Sequence, residues 1–96
     1  MTRAEFEAEL SREGYEVREG EIKPHVHREA HAHEFDARVL VLDGAITLVF
    51  GKDRVTYGPG DSCSVPAGTM HEEHTDGAGV RYVSGRRVAA REAAPR

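Results

Sequence analysis

The chain has 96 residues, of which 39% are apolar and 31% are charged, and these values indicate one compact soluble domain. No apolar run approaches the roughly 20 residues of a membrane-spanning helix. The opening segment MTRAEFEAEL also lacks the apolar stretch of a signal peptide. We therefore expect a cytoplasmic protein without membrane contact, and the single Cys63, which has no internal disulfide partner, fits a reducing compartment. The net charge of −4 argues against binding to nucleic acid.

The first residues predict a short helix. Thr2 and Glu5 have the spacing of a capping box, and Phe6 and Leu10 recur four residues apart before Gly14. We expect a helix over residues 3–13. Its apolar stripe is thin, so we expect it to lie against the outside of a larger unit instead of forming a core.

The remainder of the chain predicts β-structure. From Tyr15 onward, short apolar segments alternate with turn signals, which is typical of strands of five or six residues. Asp43-Gly44 predicts a hairpin between the apolar runs 39–42 and 46–50. Further turns are expected at residues 51–53 and 58–61.

This regular succession of strands and turns favours an all-β fold, a small antiparallel sandwich or barrel. We divide the chain into an N-terminal helix (1–14), a barrel (15–87) and a disordered tail (88–96).

All six histidines lie in two short clusters, residues 25–33 and 71–74. His31 and His33 are two apart, so on a strand both imidazoles face the same side, about 6.7 Å apart. Such a pair can converge on one metal ion, since neutral imidazole binds zinc, copper, iron and nickel. The alternative is a polar strand that faces solvent.

The string Gly60-(x)5-Pro66-x-Gly68-(x)2-His71 and the earlier His31-x-His33 with Gly44 resemble the two motifs of the cupin superfamily over residues 22–85. The resemblance is to the small, single-domain bacterial cupins. It implies a double-stranded β-helix barrel whose motif histidines, here His31, His33 and His71, bind a divalent transition metal (Zn, Fe, Mn, Ni or Cu).

The chain departs from the family pattern at the position of the metal-binding glutamate, where Ala37 stands. Glu73 is our first choice to replace that carboxylate, as a ligand or as a base, because it lies two residues after His71 and shares its face on a regular strand. Its alternative role is that of a solvated charge. Because side chains alternate along a strand, we expect Glu34 and Asp36 to lie on the face opposite His33, unless a bulge reverses the facing of one of them.

The other histidines leave several interpretations open. His27 shares the face of His31 if both belong to one strand. His25 and His27 could otherwise form a feature of the barrel rim or a second, weaker metal site, and we favour exposed positions for both. We expect His74 to lie on the surface as well.

Three further groups are candidates for ligand contact or for ordinary structural roles. Cys63 has the pattern of a half-buried strand residue, which favours an inert buried thiol over a reactive one. The aromatic residues that can line a barrel mouth or belong to its core are Phe35, Phe50, Tyr57 and Tyr82. The arginines that can bind an anion or form surface ion pairs are Arg38, Arg81, Arg86 and Arg87.

These features support two main functional hypotheses. The first is a metal-dependent enzyme (an oxygenase, isomerase or hydrolase) that acts on a small molecule in the barrel, with Glu73 in the chemistry. The second is a non-catalytic metal- or ligand-binding module, a sensor or carrier. A structural barrel with idle histidines is less favoured. Because small cupins commonly pair, we expect a homodimer.

Overall fold

The computed structural model of the chain describes residues 1–88. Within these residues no helix has the length and apolar character needed to cross a membrane. One helix precedes eight strands: α1 (Arg3–Arg12), β1 (Glu16–Ile22), β2 (His27–His31), β3 (Phe35–Gly44), β4 (Ile46–Phe50), β5 (Asp53–Tyr57), β6 (Ser62–Val65), β7 (His71–His74) and β8 (Val80–Val88). The predicted tail, residues 88–96, lies outside the described residues except for Val88, which ends β8.

The strands form two four-stranded antiparallel sheets with the orders β1-β8-β3-β6 and β2-β7-β4-β5. Neighbours in each sheet are distant in sequence, with the exception of β4 and β5, which pair directly. This arrangement confirms the predicted all-β barrel with a short N-terminal helix. It also sets β2 beside β7, the two strands that carry most of the histidines.

The predicted hairpin at Asp43-Gly44 is wrong. Gly44 does adopt a positive φ of 77°, as the turn signal suggested. However, β3 and β4 belong to different sheets, and Gly44 pairs with Val80 of β8 while the Ala45 N–H donates to the carbonyl of Gly79. The positive φ at Gly44 was therefore predicted correctly, but both edges of β3 are paired within its own sheet, with β8 and β6, and β4 belongs to the other sheet.

The apolar residues separate into two clusters. The inner cluster lies between the two sheets and consists of Ile22, Val41, Ile46, Leu48, Val65 and Val80. The outer cluster lies where α1 covers the first sheet and consists of Phe6, Leu10, Leu40 and Val83. Leu40 and Val41 are adjacent and belong to different clusters, which is the period-two alternation of a strand covered on both faces.

Helix α1 begins at the predicted capping box, in which Thr2 and Glu5 each accept a hydrogen bond from the other's backbone N–H. It lies on the outside of the barrel, as predicted. Contrary to the expectation that it would form no core, Phe6 and Leu10 are completely buried. The helix approaches the sheet closely because Gly85 has no side chain: a Cβ there would lie 2.8 Å from Leu10 Cδ1.

Substitution of Gly44 tests the close contact between the end of β3 and the backbone of Gly79, just before β8. An added Cβ would overlap the Gly79 carbonyl in a backbone conformation that already disfavours side chains. Gly44→Ala should lower the free energy of unfolding by about 3 kcal/mol, whereas Gly51→Ala, with a positive φ but open space around it, should cost about 1 kcal/mol. Urea denaturation measures both values, and equal losses would contradict the close contact at Gly44.

Candidate metal centre

The structure brings the imidazoles of His31, His33 and His71 together. Ring centroids lie 4.9 Å apart for His31 and His33, 4.5 Å for His31 and His71, and 5.4 Å for His33 and His71. His71 is the most enclosed of the three, at 3% exposure. The two histidine clusters of the sequence thus meet at one point of the barrel.

Two connections position these rings. His31 ends β2 and His71 begins β7, and the two residues face each other in the strand register. His33 lies in the short segment between β2 and β3, and its carbonyl accepts a hydrogen bond of 2.9 Å from the Gly68 N–H. The Pro66–Gly68 turn therefore binds to the segment that carries His33. This contact positions the start of β7, and with it His71, beside the other two histidines.

Backbone carbonyls determine which ring nitrogen is free to bind a metal. His31 Nδ1 lies 2.7 Å from the Glu29 carbonyl oxygen, and His71 Nδ1 lies 2.9 Å from that of Thr69. Because a carbonyl only accepts hydrogen bonds, each Nδ1 carries a proton. In the neutral rings the lone pair is then on Nε2, and this arrangement orients metal-binding histidines in general.

Glu73 faces the same point. Its Oε2 lies 3.2 Å from His71 Nε2 and 3.6 Å from His31 Nε2. With the ring protons held on Nδ1, lone pairs of nitrogen and carboxylate oxygen would oppose each other across these distances unless a proton or a metal ion lies between them. The donor set of three imidazoles and one carboxylate, whose ligand atoms all lie within 4.8 Å of one another, is one that suits a first-row transition metal.

The environment of His33 favours its neutral form. Partial burial lowers the pKa of His33, and the nearby His31 and His71 lower it further. Its ring stacks on Phe35 with a centroid distance of 4.6 Å. A neutral imidazole retains the lone pair that coordination requires.

Arg28 is a residue of this site that sequence reasoning missed. Its guanidinium Nη1 lies 3.1 Å from Glu73 Oε1, so it holds the carboxylate oxygen that points away from His71. Arg28 and Glu73 are direct partners across β2 and β7. No local pattern marks Arg28, because its position depends on that long-range register.

A cavity of about 120 Å³ adjoins the metal candidates. Most of its wall is apolar, including Ala37 at the position of the family's glutamate. The polar residues in the wall include His33, His71, Glu73 and Arg86. A pocket with an apolar wall and a few converging polar groups is the usual form of a small-molecule site.

The predicted aromatic and arginine candidates divide among this cavity, the inner core and surface ion pairs. Phe35 and Tyr82 line the cavity, whereas Phe50 and Tyr57 pack against the inner core. Arg86 lines the cavity and lies 4.7 Å above the Phe35 ring.

Two of the other arginines form ion pairs. Arg38 pairs with Glu9 of α1, and Arg87 pairs with Asp36. Arg81 lies opposite Asp43 in the strand register.

Asp36 does not join the metal candidates, as predicted from strand alternation. It accepts a hydrogen bond from the Ala67 N–H, and this bond lowers the pKa of its carboxyl group. Glu34 also lies outside the cluster of candidate ligands. Thr75, which follows β7, has a structural role, because its hydroxyl accepts a hydrogen bond from the Val26 N–H and donates one to the Lys23 carbonyl.

His27 and His31 share strand β2 but do not share a face. The register shifts between Arg28 and His31, which indicates a β-bulge, and a bulge reverses the facing of the residues beyond it. His27 instead joins Glu72 and His74 in a second group of potential ligands. The suggested pairing of His25 with His27 is therefore replaced by a pairing across the strands.

Comparison with known proteins identifies the family. The model of the cupin domain family matches residues 15–85, so the chain belongs to the cupin family. No curated protein matches the sequence.

Solved structures have the same fold. A protein of unknown function from Rhizobium leguminosarum aligns with 19% identity and a TM-score of 0.73, over 78% of this chain and 71% of that one. The polyketide cyclase RemF from Streptomyces resistomycificus aligns with 25% identity and a TM-score of 0.69, over 82% and 60%. The DMSP lyase DddQ from Ruegeria pomeroyi DSS-3 aligns with 19% identity and a TM-score of 0.67, over 74% and 36%.

The thiol of Cys63 offers a test of the cavity environment. Burial, with a further contribution from the charge of Glu73, raises the pKa of Cys63 to about 11. The reactive thiolate is therefore scarce at pH 8, and labelling by a thiol reagent should be about a hundredfold slower in the folded protein than in denaturant. In the folded protein, labelling should rise about tenfold per pH unit and level off only near pH 11, whereas in denaturant it should level off near the ordinary thiol pKa of about 8.5. Equal rates in the folded and the denatured chain would contradict this environment.

Proposed function

We propose that this cupin binds one divalent transition metal through His31, His33 and His71 and carries out metal-dependent chemistry on a small molecule in the adjoining cavity. The observation that carries the proposal is the convergence of His71 Nε2, His31 Nε2 and Glu73 Oε2 beside an apolar cavity. When bound, such a metal supplies a Lewis acid that can polarise a substrate oxygen or acidify a water molecule.

The side chains of the site have distinct tasks in this proposal. The carbonyls of Glu29 and Thr69 hold His31 and His71 in the tautomer that presents Nε2. Glu73 is either the fourth ligand or the group that accepts a proton from the substrate at Oε2. Arg28 holds Oε1 and so keeps Oε2 directed at the imidazoles, which makes Arg28 a positioning residue.

The cavity points to a small substrate with an apolar body and an anionic group. Its volume of about 120 Å³ approaches the ~150 Å³ of a protein cavity that holds benzene. Arg86 is the cationic group best available to bind an anion there, because Arg28 is already paired with Glu73. A guanidinium suits a carboxylate, to which it donates two parallel hydrogen bonds.

The structural neighbours support an enzyme more than a carrier, since two of them bear the names of a cyclase and a lyase. The type of reaction, whether oxygenation, isomerisation or hydrolysis, stays open. The second candidate role, a non-catalytic sensor or carrier, is favoured by the loss of the family's glutamate at Ala37. A metal-loaded protein that binds a ligand and leaves it unchanged would support this role.

Metal content tests the ligand assignment. We expect His31→Ala and His71→Ala to lose the metal at this centre, measured by elemental analysis after dialysis against one metal and removal of the excess. His25→Asn is the matched control, because it removes a histidine outside both ligand groups and asparagine tolerates the positive φ of 59° at that position. Unchanged metal content in both alanine variants would eliminate the site.

Glu73→Gln separates the two roles of the carboxylate. Loss of the metal would identify Glu73 as a ligand, whereas retained metal with lost turnover would identify it as the base. An effect on neither property would remove Glu73 from the proposal.

Arg86→Gln tests the anionic character of the substrate. The variant should weaken the binding of small carboxylates about tenfold, because Arg86 is exposed and a charge-assisted hydrogen bond there contributes at the lower end of about 1.5–3 kcal/mol. Ligand-observed NMR with a set of small carboxylic acids provides the measurement. Arg54→Gln, on the exposed strand β5, is the matched control. Equal affinities in both variants would contradict the role of Arg86.

The homodimer and the cytoplasmic location stay predictions. Strand β6 lies at an edge of the first sheet, which does not contain β2 and β7, and an edge strand can pair with a second copy of the chain. Light scattering at micromolar concentration should give about twice the monomer mass. A mass near 10.6 kDa would contradict the dimer.

A further inference from the structure

Strand β7 presents potential metal ligands on both of its faces. Its sequence is His71-Glu72-Glu73-His74, and side chains alternate along a strand. His71 and Glu73 face the inside of the barrel, as described above. Glu72 and His74 therefore face outward, and they lie opposite Val49 and Thr47 of β4 in the register.

On the outer face, His27 of β2 completes a second group. The Glu72 Oε1 atom lies 3.2 Å from His27 Nε2 and 3.0 Å from His74 Nε2. The two imidazole rings stack with a centroid distance of 4.1 Å and an interplanar angle of 17°. Two ring nitrogens and one carboxylate oxygen thus converge on a single point.

The bulge in β2 creates this group. Before the bulge, His27 lies directly opposite His74, and after it His31 lies directly opposite His71. Without the reversal in facing, His27 would share the side of His31 and the outer face would carry no imidazole from β2. The same irregularity therefore supplies one histidine to each face of the sheet.

We propose that His27, Glu72 and His74 form a second metal site, on the outside of the barrel, that takes a first-row divalent cation such as Zn²⁺. Two imidazoles and one carboxylate are a common donor set for such ions. The three ligand atoms already lie within 4.8 Å of one another, and a tilt of the stacked rings directs both Nε2 lone pairs at one ion.

A single divalent cation also suits the electrostatics of the group. Both Nε2 atoms lie within 3.2 Å of one Glu72 oxygen, so a single cation between them is attracted to the carboxylate and to both imidazole nitrogens. Within residues 1–88, the ion-pair partners of Glu72 are these two histidines, so no arginine or lysine competes for its carboxylate.

The outer site differs from the barrel centre in its access to solvent. The side chain of His27 is 54% exposed and that of Glu72 is 36% exposed, whereas that of His71 is 2% exposed. A cation here therefore keeps coordination positions open to water, and it should exchange faster than one at the barrel centre. The two sites share no ligand.

Equilibrium dialysis of the whole chain against Zn²⁺ alone tests the proposal. At a fixed excess of free Zn²⁺ and pH 7.5, the wild type should bind two ions per chain. His27→Ala and His74→Ala should each bind one, and His71→Ala, which retains the outer group, should also bind one. The variants of His27 and His74 report on the outer ion, and the variant of His71 reports on the barrel ion. The second site and the proposed function can therefore be contradicted independently of each other.

Two further variants guard against misfolding and nonspecific binding. Glu72→Gln preserves the size of the side chain and should bind one ion, while His25→Asn should bind two, as the wild type does. Wild-type stoichiometry in both His27→Ala and His74→Ala would overturn the outer site. Retention of two ions by Glu72→Gln would overturn the three-donor assignment.

Discussion

The antiparallel pairing of β2 with β7 is the contact on which the candidate centre depends. These strands are separated by about forty residues of chain, and their register sets His31 opposite His71, Arg28 opposite Glu73 and His27 opposite His74. A shift of this register by one residue would exchange the inner and outer faces of one strand. The convergence of imidazoles and carboxylates is therefore a property of one strand pair, which the rest of the barrel holds in place.

The barrel around this strand pair combines an apolar core with a few polar groups at the candidate centre. The inner apolar cluster joins the two sheets below the histidines, and α1 covers the other face of the first sheet with Phe6 and Leu10. Backbone carbonyls of Glu29 and Thr69 orient two of the rings, so their tautomers do not depend on a bound ligand. Backbone contacts thus set the orientation of two of the three rings.

Because Ala37 stands where the family has its glutamate, the carboxylate beside the histidines comes from a different strand. The family's glutamate would project from β3, whereas this chain has a methyl group there that forms part of the cavity wall. Glu73 brings its carboxylate from β7 instead, and Arg28 neutralises the oxygen that faces away from the histidines. The arrangement retains three imidazoles and one carboxylate but moves the negative charge to the strand that also carries His71.

The sequence by itself determined the elements that follow from local pattern. It predicted the capped helix, the strands, the all-β barrel and the groups 25–33 and 71–74, because periodicity, capping and turn chemistry act over a few residues. Tertiary structure alone decided which strands pair, and so it overturned the hairpin at Asp43-Gly44. The bulge in β2, the contact of Arg28 with Glu73 and the outward group of His27 also depend on register between distant segments. Register is set by the packing of the whole barrel, and no short stretch of sequence contains that information.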